Sequence, residues 1–362
     1  MTDLFKVYMP ESVSSDAVNG ILRSGKLTSG TYVKQFEEKL QQFIGNPYVM
    51  VTANNNYASL IAYALCDIKE GDEIIAAPMA CLASTQPILN FGGKLVWADI
   101  VPHTGSIDPE KIRDKITSKT KAILHYHWCG YPGYIDEVNA IGREYGIPVI
   151  DDAIESFGSE YKGRIMGNLQ TDITTFSFQT VRLPNSIDGG AIAFKTEEMY
   201  ERAKKMRDFG ITRSTFRDSL GEISSESDIS GPGYNALMNE LSAYIGAQIM
   251  DDVPALLHKQ RQNAALWDNF LGSAIHNLKR SEIKPNYWVY SYLSGNQSGD
   301  MKQLRGQGMY ASKVHLRNDY YSCFGSFDQS LKGVEYFSAH ELSVPCGWWV
   351  DDNDIKKLNK LP

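Results

Sequence analysis

The chain has 362 residues, 43% hydrophobic and 22% charged, with a net charge of −7. That length suffices for a large core and two structural units. An acidic balance with no basic block argues against a nucleic-acid binder, and no apolar run is long enough to span a bilayer. The first residues, Met1 to Lys6, hold no apolar core of a secretion signal. Five cysteines, at 66, 81, 129, 323 and 346, are odd in number and never form a CxxC pair. A reducing cytoplasm is the expectation, without a disulfide framework or a metal site.

From residue 48 short apolar runs alternate with amphipathic segments. Residues 48–52 read as a strand, 56–67 as a helix and 73–77 as a strand stopped by Pro78. A helix is expected over Cys81 to Phe91, then a strand over 94–98. Another strand covers 121–126, a helix covers 135–145, and the strand at 147–152 ends in two carboxylates, Asp151 and Asp152. Alternation of this kind implies a mostly parallel sheet covered on both faces, with ligands gathering at the carboxyl ends of strands. Asp151, Asp152, Ser177 and Gln179 fall at or near such ends. The polar stretch Ser214 to Pro232 reads as a long exposed loop. A helix-rich stretch from Tyr234 to Leu271 leads toward a smaller C-terminal unit. The expected division is 1–240 for a large domain with its N-terminal segment, and 241–362 for a connecting helix and small domain.

Several motifs then fall in a recognisable order. Ser24-Gly25-Lys26-Leu27-Thr28-Ser29-Gly30 is followed by Gly71-Asp72-Glu73-Ile74-Ile75, Asp151-Asp152-Ala153-Ile154-Glu155, Phe176-Ser177-Phe178-Gln179, Asp188-Gly189-Gly190 and Gly233-Tyr234-Asn235. His315-Leu316-Arg317-Asn318-Asp319 and Pro345-Cys346-Gly347-Trp348-Trp349 close the series. Over nearly its whole length the chain resembles the DegT/DnrJ/EryC1/StrS sugar aminotransferases, which have the fold-type-I pyridoxal-phosphate (PLP) architecture. The resemblance implies a large α/β domain with a mostly parallel sheet between helices, and a small α+β domain. It also implies a homodimer and a nucleotide-linked keto sugar as substrate, in deoxy-amino-sugar or polysaccharide biosynthesis.

PLP is an electron sink whose pyridine nitrogen must stay protonated. Asp152 matches the carboxylate with that role; its plainer role would be to cap the next segment. Glu155 matches a position at the cofactor's ring hydroxyl or above the ring, where relatives more often have Gln or His. Asn56, Tyr57 and Ala58 match the phosphate-binding helix start, although Tyr57 is bulky where a small hydroxyl is expected. Asn56 could also cap that helix. Ser177 matches the phosphate-contacting serine, or is a strand hydroxyl bonded to backbone, and Gln179 ends the same motif. Asn235 matches an asparagine that reaches the phosphate from a partner subunit. Leu82 is expected to cover the ring in place of an aromatic, and Cys81 is not read as a nucleophile. His315, Arg317 and Asn318 resemble a substrate-facing motif, Arg317 suiting a diphosphate unless it pairs with Asp319 on the surface. Trp348 and Trp349 read as packing rather than as a sugar platform.

Arg182 stands where the resemblance places the lysine that holds PLP as a Schiff base. A guanidinium stays protonated and its nitrogen lone pairs are delocalised, so it can neither form that bond nor act as a base. Three readings follow. The chain handles a keto sugar with PLP or pyridoxamine phosphate (PMP) held non-covalently. Or another amine serves, the nearest in sequence being Lys162 in an expected surface turn. Or the chain is a catalytically inactive homologue that binds a sugar nucleotide or a partner subunit.

Overall fold

Seven short apolar runs become one sheet in the computed structural model, which describes residues 1–272 and 276–361. They are β1 (Val49–Thr52), β2 (Glu73–Ala76), β3 (Lys94–Trp97), β4 (Thr120–Tyr126), β5 (Val149–Asp152), β6 (Ile173–Ser177) and β7 (Gly190–Phe194). Their spatial order is β1-β7-β6-β5-β4-β2-β3. Only β7 runs antiparallel to its neighbours. Every residue of β1, β5, β6 and β7 is buried. A strand covered on both faces needs continuous apolar sequence rather than alternation, and these runs have it.

The register brings the site together. Tyr126 pairs with Asp152, Asp152 with Thr175, and Ser177 with Gly190, which also pairs with Thr52. The ends of β4, β5, β6 and β1 therefore line one rim. Gly190 is required on that rim, because a Cβ there would lie 2.7 Å from the Asn54 carbonyl oxygen and 2.8 Å from Thr52 Oγ1.

The helix after β1 spans Asn55–Leu65 and is capped by Asn54, whose side chain accepts from the Tyr57 amide at 3.1 Å. The capping role considered for Asn56 thus falls to Asn54. The extended backbone of Asn54 (φ −161°) presents its side chain to the first turn, while Asn56 is exposed. The helix expected over Cys81 to Phe91 is instead a short turn, Leu82–Thr85, followed by a 3₁₀ segment, Gln86–Phe91. Pro87 has no N–H to continue the α-helical ladder. Ile135–Tyr145 is helical as expected and ends at Gly146 in the left-handed region (φ +66°).

Residues 214–232 contain no helix and no strand beyond one isolated bridge, Arg217 to Ile223. Helices Glu240–Met250 and Val253–Leu271 follow; the stretch 234–239 ahead of them is irregular. A second, antiparallel sheet joins His276–Asn277, Tyr290–Leu293 and Glu341–Val344. The N-terminal residues strap across this part of the chain. Phe5 stacks on Trp288 with ring centroids 4.5 Å apart, Trp349 Nε1 donates to the Asp3 carbonyl, and Lys6 lies over Trp348. The two tryptophans read as packing residues do pack, against this strap. Among the described residues no helix is long and apolar enough to cross a membrane.

Candidate active site

Strand alternation separates the two adjacent carboxylates at the end of β5. Asp151 accepts from Thr171 Oγ1 at 2.5 Å, and its Oδ1 lies 3.0 Å from His125 Nδ1 and 3.2 Å from His127 Nε2. This set is fully buried, and the two imidazoles, against the opposing cost of burial, hold Asp151 below the usual carboxylate range. Asp152 has no such company. Burial raises its pKa to about 6, with the Ser84 hydroxyl and the Ile154 amide, 3.2 Å from Oδ1, pulling it back. It is thus a buried carboxyl that a cationic N–H would satisfy.

Glu155 follows three residues later and is 2% exposed. Its Oε2 accepts from the Tyr126 hydroxyl and from the Cys129 amide at 3.2 Å. Its Oε1 lies 2.9 Å from His315 Nε2 and 3.1 Å from Arg182 Nη1. Burial alone would raise this carboxyl, but His315 and Arg182 outweigh it and hold the pKa at about 2. The same environment moves its neighbours the other way. Burial and then Glu155 push the Tyr126 phenol well above its ordinary value, and the Cys81 thiol up to about 12. An unreactive thiol is what the sequence implied for Cys81.

Arg182 is held from below as well. Its guanidinium lies 4.1 Å over the Trp288 ring, and Trp288 Nε1 donates to the carbonyl of Val181 at 2.8 Å. The side chain is 9% exposed, and its Nε has no hydrogen-bond partner. Nη1 approaches Glu155 without the alignment of a hydrogen bond.

The structure therefore gathers Asp152, Glu155, Arg182 and His315 into one site. Ser177 lies on the same rim, its Oγ accepting from the Gln179 amide at 3.4 Å, and Gln179 itself is exposed. Asn235 is exposed next to Tyr234, whose ring is 6.2 Å from that of Tyr57; the neighbouring Ala236 carbonyl accepts from Ala53 at 2.8 Å. The segment carrying Asn235 thus lies beside the helix start of Asn56, Tyr57 and Ala58. Leu82 is 40% exposed.

Arg317 forms the pair with Asp319 that the sequence allowed, and it also lines a cavity beside His315. Arg317 is 3% exposed, and its Nε and Nη2 fork onto Asp319 at 2.7 and 2.6 Å, Nη2 also reaching the Asp328 carbonyl. That pairing is buried rather than on the surface, and it uses Nε and Nη2. Asn318 donates to Thr85 Oγ1 at 2.9 Å, and its amide donates to the Pro78 carbonyl at 2.8 Å. Both residues anchor the loop that presents His315. Lys162 is exposed and paired with Asp136 at 2.5 Å, on the turn the sequence indicated.

Tyr126, Cys129, Trp288, Lys313 and Glu341 went unnoticed in the sequence. Tyr126 alone carried a signal, as the last residue of an expected strand. A cavity of about 450 Å³ opens beside His315, lined also by Lys313, Tyr320, Phe327, Lys332 and Glu341.

Known proteins share this fold and sequence pattern. The profile of the DegT/DnrJ/EryC1/StrS aminotransferase family matches residues 11–358. The crystal structure of the sugar aminotransferase CalS13 from Micromonospora echinospora superposes with a TM-score of 0.92 at 27% identity, covering 98% of this chain and 97% of that one. AtS13 from Actinomadura melliaura gives a TM-score of 0.90 at 30% identity, over 98% and 96%. The uncharacterized protein MJ1066 of Methanocaldococcus jannaschii is 28% identical over 349 residues, 92% of this chain and 90% of that protein.

Proposed function

The chain belongs to the DegT/DnrJ/EryC1/StrS aminotransferase family, and from that premise we propose that it acts on a nucleotide-linked keto sugar with PLP or PMP held non-covalently. The observation that carries this reading is the pairing of a cofactor-ready carboxyl with a side chain unable to bind covalently. Asp152, raised to about 6 by burial, suits a protonated ring nitrogen. Arg182, beside Glu155 and over Trp288, offers no amine for a covalent bond. Bound there, PLP or PMP supplies the electron sink for bonds next to an amine.

The chain's own residues would do the rest. Asp152 keeps the proton on the ring nitrogen. Ser177 and the amides at the start of the helix Asn55–Leu65 receive the phosphate, although the Tyr57 amide already donates to Asn54. Arg182 and Glu155 set the charge around the reacting end. Asn235 would reach a partner's phosphate in a homodimer, with glutamate as amino donor and the cytoplasm as the setting. Tyr57 at the helix start favours the alternative, an inactive homologue that binds a sugar nucleotide or a partner subunit.

Titrating PLP and PMP separately into cofactor-free protein, followed by absorbance and thermal unfolding, decides between them. We expect saturable stabilisation by PMP and no borohydride-trappable adduct with PLP. Binding of neither would leave the inactive homologue, and a trapped adduct would show that a lysine serves after all.

A further inference from the structure

Few groups in this site can take up and release a proton near neutrality. A guanidinium stays protonated. The Tyr126 phenol and Cys81 thiol are pushed up by burial, and Glu155 is held at about 2, with three hydrogen-bond donors on its two oxygens and the Arg182 guanidinium beside it. Asp152 is committed to the ring nitrogen in the reading above. Lys313 lines the neighbouring cavity but is exposed. Imidazole is the side chain whose ordinary chemistry exchanges protons between pH 5 and 8, and one imidazole, His315, stands here.

Its orientation is defined. Nε2 lies 2.9 Å from Glu155 Oε1, and an ionised carboxylate only accepts, so Nε2 carries the hydrogen. Nδ1 holds the lone pair whenever the ring is neutral. The ring sits among Tyr126, Trp128 and Trp288, at centroid distances of 6.3, 5.6 and 6.5 Å, the last stacked. The side chain is 15% exposed and lines the 450 Å³ cavity. The Arg317–Asp319 fork and Asn318 pin the loop from behind. An imidazole oriented on one nitrogen by a buried carboxylate and lining a cavity has the arrangement of the base in a catalytic triad.

We propose that His315 is the proton-moving residue of this site, with Nδ1 as the working nitrogen and Glu155 as the positioning residue. The proposal rests on the cofactor reading above. In the step, a ligand C–H bond breaks and its electron pair stays on the ligand. The proton moves to Nδ1, and Glu155 balances the imidazolium charge. The same proton then returns to the ligand, leaving the enzyme unchanged. The charged and titratable groups facing His315 are Glu155, Arg182 through Glu155, Tyr126 and Cys81, and across the cavity Lys313, Arg317, Tyr320, Lys332, Glu335 and Glu341.

The test has two arms. In cofactor-free protein with ¹⁵N-labelled histidine, NMR should show the neutral ring of His315 as the Nε2–H tautomer. An Nδ1–H tautomer in wild type would overturn the proposal without any assay of turnover. In loaded protein, His315→Gln should keep PMP affinity within about threefold and lose about 100-fold in kcat. His315→Ala should be partly rescued by added imidazole. Full activity in a folded His315→Gln variant, with PMP bound, would sink this proposal alone. Failure of wild type to bind PLP or PMP would sink it together with the reading beneath it.

Discussion

Two glutamates of this chain are equally hidden, Glu155 at 2% exposure and Glu341 at 1%, yet they hold opposite charge states. Glu155 faces His315 and Arg182, which overcome burial and keep it ionised down to about pH 2. Glu341 meets the Ser343 hydroxyl, with only the more distant Lys313 for charge, and burial raises its pKa to about 8. Depth is common to both; the presence of a close cation separates them. The site is thus ionic on the side of Arg182, and the floor of the adjoining cavity holds a neutral acid able to donate a hydrogen bond.

The strongest way to break the contrast is to strip Arg182 of its counter-charge. Glu155→Leu leaves a buried guanidinium unpaired and should cost about 3–5 kcal/mol in chemical denaturation at pH 7; a loss under 1 kcal/mol would mean that Trp288 and solvent suffice.

Glu341→Gln tests the other half. The folded chain keeps a proton on Glu341 that the unfolded chain releases above about 4.5, so wild-type stability falls as pH rises from 4.5 to 8. The variant should lack that slope of about 1.4 kcal/mol per pH unit and be on the order of 3 kcal/mol more stable at pH 7. Parallel stability profiles for the two proteins would refute the neutral acid.

Asp152→Asn sharpens the comparison with a carboxyl of intermediate character. Its raised pKa makes the same sign, with stability lost between pH 3.8 and about 6. Cofactor-free Asp152→Asn should gain about 3 kcal/mol at pH 8, gain little at pH 4, and lose PMP affinity. Stability and binding moving together would argue against a functional carboxyl. Last and smallest, Trp288→Phe keeps a ring under Arg182 but removes the hydrogen bond to Val181. A loss of about 1 kcal/mol is expected from thermal unfolding, and no loss would show that the ring face alone holds the loop.

The sheet was legible because its signal is local. Strands at 49–52, 73–76 and 94–97 are short β-rich runs bounded by turns, and they appear within a residue or two of expectation. Asp152, Glu155 and Arg182 were visible through motifs that occupy a few consecutive positions. What escaped lies in long-range pairing. His315 and Glu155 are 160 residues apart, and no neighbour of either announces the other. Trp288, which lies under Arg182, bonds to Val181 across 107 residues; the Arg317–Asp319 pair is local and was open in the sequence as a surface pair, and only its burial was not. The three consecutive asparagines at 54–56 could not be told apart as caps until the backbone showed which one was extended.

The strap formed by the first residues carries a practical consequence. Phe5 lies on the Trp288 ring, which in turn lies beneath the guanidinium of Arg182. An affinity tag fused ahead of Met1, or a protease nick before Tyr8, acts on a segment two aromatic rings away from the chemistry. Binding and stability measurements on trimmed or N-terminally tagged protein therefore report on a perturbed Trp288–Arg182 contact, and a C-terminal handle leaves the strap in place.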